Sequence, residues 1–196
     1  MKRLRSRRAA LVASLAAAVV AASVVVAVGA TARTAAPTLV IDNSFTIKTS
    51  DPGRAFDPTA SLVDHALYDT LFTYRGDDLA HPVPLLVASF KASSNAKTYT
   101  FQLKRNVHFA DGTPLTSADV VWSLKRLVNL KGNPSFLLSG ITVSAPSKYT
   151  VVMRSKTPAT QLPVILANPS TGILNSALVT KNGGSDAANA AKADKA

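Results

Sequence analysis

Cysteine is absent from this chain of 196 residues. Without cysteine the protein can form no disulfide bond, no thiolate metal site and no thiol nucleophile. A lipoprotein carries its lipid on a cysteine, so we also expect that the protein is not a lipoprotein.

Glutamate is absent too, and all eleven acidic residues are aspartate. The three histidines, His65, His81 and His108, lie far apart, and none belongs to a two-histidine zinc motif or flanks a G-x-S-x-G nucleophile turn. The nine glycines form no phosphate-binding loop, and the aspartates, Asp111 included, lack the spacing of a calcium loop. These absences predict a protein that is not an enzyme and holds no metal or cofactor.

Basic residues outnumber acidic ones by 22 to 11, which gives a net charge of +11. Such an excess is typical of proteins that bind nucleic acid or an anionic membrane. Five of the basic residues lie within residues 2–8, and the remaining 17 form no block interleaved with aromatic side chains. We therefore expect no nucleic acid partner; salt-dependent binding to DNA would contradict this expectation.

Residues 1–32 have the organisation of an export signal: a basic start, a long apolar run and the small-residue sequence Ala30-Thr31-Ala32. Cleavage there would leave a chain that begins at Arg33. The alternative is a membrane anchor that is never cut, because the apolar run approaches the roughly 20 residues that span a bilayer. Arg7 and Arg8 also allow a twin-arginine signal, although adjacent arginines are expected in any basic leader.

A strand followed by a turn is predicted between residues 98 and 114. Apolar and polar residues alternate there, which is typical of a strand with one buried face; the apolar positions are Tyr99, Phe101 and Leu103. Asp111-Gly112 then favours a tight turn, because glycine adopts positive φ without a steric penalty. Thr113-Pro114 ends the strand, since proline cannot donate to a ladder.

A helix is predicted to begin at Ser117. Thr116 is a suitable N-cap, and Asp119 places a carboxylate near the positive end of the helix dipole. The apolar residues have helical spacing and predict one buried stripe, formed by Val120, Val121, Leu124, Leu127 and Val128. We expect Trp122, the single tryptophan, to lie in the core rather than to form a ligand platform, and Pro134 to lie beyond the end of the helix.

The segments before this unit predict a strand, a loop and a helix. Thr38–Ile41 is a short β-branched and aliphatic run, typical of a buried strand. Residues 42–58 are polar and rich in turn formers, so we expect a loop. A helical stripe follows from Ser61 as N-cap to Phe72, and residues 75–81 predict a charged turn.

The segments after the unit are shorter. Ile141–Val143 and Tyr149–Met153 flank Ala145-Pro146-Ser147 and predict a hairpin. Residues 158–168 suit a short helix with Pro163 in its first turn, and Ile173-Leu174 suits a brief strand. The alanine-rich tail from residue 185 would be a marginal helix in isolation.

The run FADGTPLTSADVVWSLKRL resembles the signature of the family 5 solute-binding proteins, the extracytoplasmic receptors of peptide, dipeptide and nickel ABC importers. Trp122 takes the aromatic place of that signature. The other matching residues are Phe109, Asp111, Gly112, Thr113, Pro114, Leu115, Thr116, Asp119, Val120, Val121, Ser123, Leu124, Lys125 and Arg126. Asp57-Pro58 and Tyr68–Leu71 also resemble the family, whose mature chain opens with a strand, a loop ending in Asp-Pro, and a helix closing on an aromatic-x-x-Leu run.

The resemblance implies a mixed α/β fold, namely part of lobe I and the inserted small subdomain of a type II periplasmic-binding protein, without the second lobe. The chain would then be an amino-terminal fragment. Its parts would be an export signal at 1–32, the start of lobe I at 33–74, the inserted subdomain at 75–174 and a truncated return segment at 175–196.

The resemblance also implies a function. The chain would be exported to the periplasm or the outer face of the cytoplasmic membrane, and would bind a peptide or another small solute for the permease subunits of an ABC importer. Since the loop after the opening strand faces the cleft in the family, Asn43, Ser44 and Phe45 are candidate ligand contacts; the alternative is an ordinary exit from a strand. A second hypothesis is a membrane-anchored interaction module without solute binding, held at the membrane by an uncut leader.

Overall fold

The computed structural model describes residues 46–196. The predicted export signal and the predicted strand Thr38–Ile41 lie outside the described residues. The described part has mixed α/β structure, with a two-stranded sheet and a four-stranded sheet, both antiparallel.

The four-stranded sheet contains the predicted strand. Its strands are β3 (Val87–Ala92), β4 (Thr98–Leu103), β5 (Ile141–Ser147) and β6 (Thr150–Ser155), and their order in the sheet is β3-β4-β6-β5. The prediction for residues 98–103 is confirmed, and the alternate residues Tyr99, Phe101 and Leu103 are buried. Because β4 pairs with both β3 and β6, it is an inner strand of the sheet.

The two-stranded sheet is a hairpin of β1 (Phe72–Arg75) and β2 (Asp78–Pro84). The predicted charged turn over residues 75–81 is therefore wrong for its second half, which is strand. Gly76, with φ of 57°, supplies the turn. Pro82 and Pro84 obscured the strand, but β2 pairs on one side only, where prolines are tolerated.

Helix α1 (Pro58–Leu67) begins three residues before the predicted N-cap Ser61. Asp57 is the N-cap, and its carboxylate accepts a hydrogen bond of 2.9 Å from the amide of Ala60. Pro58 favours this start because the first helical position needs no N–H. The prediction that the helix continues to Phe72 is also wrong, since Tyr68 has an extended backbone and ends it.

Helix α2 (Ser117–Asn129) begins and ends as predicted, with Thr116 as N-cap. Gly112 has φ of 83°, which confirms the tight turn before it. Trp122 departs from the prediction: it is only half-buried, and the guanidinium of Arg126 lies 5.8 Å from its ring centroid. The indole thus packs beside a cation and lies outside the core cluster.

The β5–β6 hairpin is confirmed, but its turn lies at residues 148–149 and not at Ala145-Pro146-Ser147. Strand β5 continues through Pro146 because it is an edge strand and the register shifts between Ser144 and Ser147. Such irregular edge positions accommodate a residue that cannot donate to the ladder.

The chain after β6 consists of short elements. They are α3 (Leu162–Ile165), a 3-10 turn (Pro169–Thr171), α4 (Ser176–Lys181) and α5 (Ala190–Ala193). The predicted short helix with Pro163 in its first turn is present as α3, whereas the predicted strand Ile173-Leu174 is wrong. The amides of these two residues donate instead to the carbonyl of Asp69 and to the hydroxyl of Ser123.

The core lies between one face of the four-stranded sheet and the apolar stripe of α2. It also includes residues of β1 and of the segment after β6; the largest fully buried members are Phe72, Phe101, Leu71, Leu124, Leu127, Leu138, Met153, Leu162 and Leu166. Each such side chain contributes about 1.5–3 kcal/mol by its removal from water.

Candidate functional site

The predicted ligand contacts Asn43, Ser44 and Phe45 lie outside the described residues. The loop that follows them, residues 46–57, is described, together with its contacts within residues 46–196. The candidate site is centred on this loop.

A buried ion network fastens the loop to helix α2. Arg126 is 1% exposed and donates two parallel hydrogen bonds of 2.8 Å to the carboxylate of Asp51. It donates two more, of 2.7 and 2.9 Å, to the carboxylate of Asp194 near the end of the described chain. One planar guanidinium thus joins three segments that are far apart in the sequence.

Arg54 and Ser185 complete the network. Arg54 contacts Asp51 at 3.1 Å and Asp194 at 2.9 Å, and the amide of Ser185 donates to Asp194 at 2.8 Å. Burial alone would raise the pKa of Asp194, but the hydrogen bonds from Arg126, Ser185 and Arg54 lower it to about 2. Burial alone would lower the pKa of Arg126, and its hydrogen bonds to the two carboxylates instead keep it above its ordinary value.

Close packing holds the middle of the loop against the end of α2. A Cβ atom at Gly53 would lie 2.9 Å from Leu130 Cδ1 and 3.3 Å from Arg126 Nη1, so this position has no room for a side chain. The hydroxyl of Ser170 also donates to the carbonyl of Ala55 at 2.9 Å. These contacts attach the loop to α2 and to the 3-10 turn Pro169–Thr171.

Two exposed aromatic side chains meet where the loop approaches the 3-10 turn Asn133–Leu138. Phe56 and Phe136 contact edge to face, with ring centroids 5.3 Å apart and an interplanar angle of 88°. They are 42% and 60% exposed, so much of both rings faces solvent. Sequence reasoning missed this pair because neither residue belongs to a periodic apolar pattern; the one available signal was an aromatic residue directly before Asp57-Pro58.

In the turn at residues 111–114, the polar side chains form hydrogen bonds within the protein. Asp111 accepts hydrogen bonds from the amide and hydroxyl of Thr113 and from the side-chain amide of Asn175. The bonds from Thr113 are the main cause of the lowered pKa of Asp111. Pro114 forms a bridge with His108, and Phe109 packs against the core. Four of these residues, His108, Phe109, Asp111 and Asn175, line a groove of about 680 Å³ together with the buried Leu86, Leu115 and Ile173.

Asp119 is a buried hub. One of its oxygens accepts from the amide and hydroxyl of Thr116 at 2.9 and 2.8 Å, and the other accepts from the amide and hydroxyl of Ser176 at 3.2 and 2.6 Å. The second pair of bonds attaches α4 to the start of α2. We infer a structural role for Thr116 and Asp119, since the Asp119 carboxylate is engaged by four hydrogen bonds from within the protein.

Metal-ligating side chains do not gather in groups of three or more within residues 46–196. None of the helices in the same range has the length and apolar character needed to span a bilayer.

Comparison with known proteins identifies the family. Residues 81–195 match the sequence pattern of the bacterial extracellular solute-binding proteins, family 5 middle region. Since this match covers more than half of the chain, the protein belongs to that family, whose members are solute-binding proteins rather than enzymes.

A curated relative is the probable D,D-dipeptide-binding periplasmic protein DdpA of Escherichia coli K12, which is 31% identical over 153 residues. That alignment covers 76% of this chain and 30% of the relative. The chain thus spans less than a third of the length of this relative.

Two solved structures share the fold. OppA of Listeria monocytogenes bound to peptide matches with a TM-score of 0.67 at 24% identity, over 72% of this chain and 31% of that chain. The binding protein AgaA of A. tumefacien R10, in complex with agropinic acid, matches with a TM-score of 0.64 at 32% identity, over 76% and 29%. The described residues therefore form part of the type II periplasmic-binding-protein fold.

Proposed function

We propose that the chain is the amino-terminal part of an extracytoplasmic solute receptor that serves an ABC importer, and that its solutes are peptides. The family match supports the receptor assignment. The dipeptide named for the DdpA relative and the peptide bound to OppA support the solute class. Agropinic acid, bound to AgaA, makes a small non-peptide solute the second candidate.

The candidate binding wall consists of residues 43–56 together with Phe136. The observation that carries it is the exposed pair Phe56, on the loop that the ion network attaches to α2, and Phe136, in the adjacent 3-10 turn. Ligand sites combine apolar and aromatic surface with a few polar groups. In this proposal the two rings provide the apolar surface, and Asn43 and Ser44 provide polar groups.

The domain and export assignments are part of the same proposal. Residues 1–32 would be an export signal, 33–74 the start of lobe I, 75–174 the inserted subdomain and 175–196 the return towards lobe I. Expressed with its leader, the chain should appear outside the cytoplasmic membrane and begin at Arg33, which amino-terminal sequencing would detect. Membrane-bound protein that retains Met1 would favour the anchored interaction module, the hypothesis that the long apolar run of the leader supports.

Calorimetric titration with a mixed library of di- to pentapeptides tests the solute assignment. Pockets bury about 70 to 90% of a small ligand, and two-lobed receptors achieve this by closing around it. We expect no measurable heat from this chain and binding by a version extended at residue 196 to the length of its relatives. Comparable heats from both versions would contradict the requirement for a second lobe, and no heat from either version would contradict the assignment to peptides.

Substitutions in the extended version test the wall. Phe56→Ala and Phe136→Ala should each weaken peptide binding about fivefold or more, because truncating an aromatic anchor residue of an interface costs more than about 1 kcal/mol. Leu79→Ala is the matched control, since Leu79 is 75% exposed on β2 and lies outside the loop. Equal affinities in all three variants would exclude the wall while leaving the receptor assignment intact.

A further inference from the structure

Asp64 on helix α1 is a buried carboxyl group without a hydrogen-bond partner. The residue is 1% exposed, and within the described part of the chain neither of its oxygens accepts a hydrogen bond. An ionised carboxylate in such a position is strongly destabilised, because it loses its hydration and gains nothing in return.

The surroundings of Asp64 make ionisation less favourable still. Asp51 and Asp57, at the two ends of the turn before α1, both act on it with like charge. The donors of Arg126 are taken by Asp51 and Asp194, and Arg54 contacts the same two carboxylates.

Within residues 46–196, no cation is among the causes that shift the pKa of Asp64. The 3-10 turn Pro169–Thr171, which packs against α1, carries no titratable side chain. On α1 itself His65 is exposed, and the phenol of Tyr68, just past its end, donates to the carbonyl of Ser50 at 2.9 Å. Burial, followed by the charges of Asp51 and Asp57, raises the pKa of Asp64 to about 6.

Ionisation of Asp64 would act on the loop over residues 49–57. This loop carries both flanking aspartates, and its internal amide bonds are short-range: Arg54 and Ala55 donate to the carbonyl of Asp51 at 2.9 Å. Movement of this loop away from α1 would hydrate Asp64 and separate it from Asp51. The same movement would displace Phe56.

We propose that Asp64 and the loop 49–57 form a proton-controlled latch: with a proton on Asp64 the loop stays against α1, and when that proton passes to solvent the loop opens more often. The latch depends on the geometry around Asp64 alone. Its consequence for solute binding, namely a firmer wall in acidic surroundings, rests on the proposed function.

Hydrogen–deuterium exchange of the unliganded chain tests the latch. If Asp64 has its ordinary pKa in the open form, linkage predicts that loop opening rises roughly 25-fold between about pH 4.5 and 7.5, after correction for the intrinsic exchange rate. The proposed opening includes unfolding of the turn in which Arg54 and Ala55 donate to the carbonyl of Asp51, so the amides of these two residues report it. Asp64→Asn should abolish the pH dependence, whereas Asp69→Asn, which removes an exposed carboxylate beyond the end of α1, should retain it. A pH-independent wild type, or an unchanged pH dependence in Asp64→Asn, would overturn the proposal.

A second measurement needs no substitution and covers the case in which Asp64→Asn fails to fold. Carbon-13 NMR of the aspartate carboxyl groups in the wild type should show Asp64 titrating near pH 6. A midpoint near its ordinary pKa of 3.8 would overturn the latch. Because neither measurement involves a solute, a failed latch and a failed receptor assignment give different results.

Discussion

Replacing Arg126 with methionine tests how the candidate wall is held in place. Methionine has a similar length and can pack against Leu130, but it leaves the carboxylates of Asp51 and Asp194 facing one another without the guanidinium that joins them. The Asp194 side chain is fully buried, so solvent cannot replace the lost donors. Breaking a buried ion pair by removing one partner typically costs about 3–5 kcal/mol.

Arg54 reduces this cost without removing it. It retains its contacts with both aspartates, but it is 39% exposed and makes one bond to each where Arg126 makes two. We therefore expect Arg126→Met to lower the free energy of unfolding by about 3 kcal/mol, and Arg126→Lys by a similar amount because lysine lacks the planar fork. A domain of this size loses about 2–4 °C in Tm per kcal/mol, so the expected loss in Tm is about 6–12 °C.

Urea unfolding followed by circular dichroism measures this effect. Lys125→Met is the matched control, because Lys125 is the neighbouring basic residue of α2 and is exposed; it should change the free energy of unfolding by less than about 0.5 kcal/mol. Combining Arg126→Met with Asp51→Asn and Asp194→Asn should recover part of the loss, since no uncompensated buried charge remains. If Arg126→Met unfolds at the same urea concentration as Lys125→Met, the network does not hold the loop.

Three further predictions concern the pH dependence and the signature residues. Asp194, whose pKa is lowered to about 2, stabilises the fold above pH 3.8 and loses this contribution as the pH falls through 2. Protonated Asp64, whose pKa is raised to about 6, stabilises the fold below pH 3.8 and loses this contribution as the pH rises through 6. Urea unfolding between about pH 2 and 8 should therefore show the greatest stability near pH 4. Gly112→Ala should cost about 1 kcal/mol because of its positive φ, and Gly132→Ala, at negative φ with only ordinary contacts, should cost less in the same assay. Asp119→Ala should lower the free energy of unfolding by about 3 kcal/mol, since four donors lose their acceptor. Thr116→Ala removes one donor and should lower it by about 1 kcal/mol. Equal losses in the two variants would refute the role of Asp119 as a hub.

The parts of the fold that were predicted correctly are those with local signals. Alternation specified β4, and the turn glycine and N-cap specified the start of α2. The β1–β2 hairpin was missed because Pro82 and Pro84 interrupt its pattern and its burial is irregular. Ile173 was misassigned because an apolar pair looks like a strand, although its amide is bound by the carbonyl of Asp69 in a distant segment.

The sequence indicated which loop belongs to the candidate site, but not which side chains meet there. The loop was expected to face a ligand, but Phe136 lies 80 positions after Phe56, and nothing in the local sequence connects them. The burial of Arg126 was equally hidden, since its partners Asp51 and Asp194 lie 75 and 68 positions away. Long-range partners of this kind leave no periodic trace in a single sequence.

The signature run Ser-Leu-Lys-Arg acquires a physical meaning from this network. Its two basic residues are consecutive in α2 and so point about 100° apart: Lys125 lies in solvent, whereas Arg126 is buried and holds Asp51. Only a planar guanidinium can serve two carboxylates bidentately from one position, which explains why arginine occupies the buried place. The loop that Asp51 anchors leads within five residues to Phe56. Through the single side chain of Arg126, the signature run is therefore attached to the loop that carries Phe56.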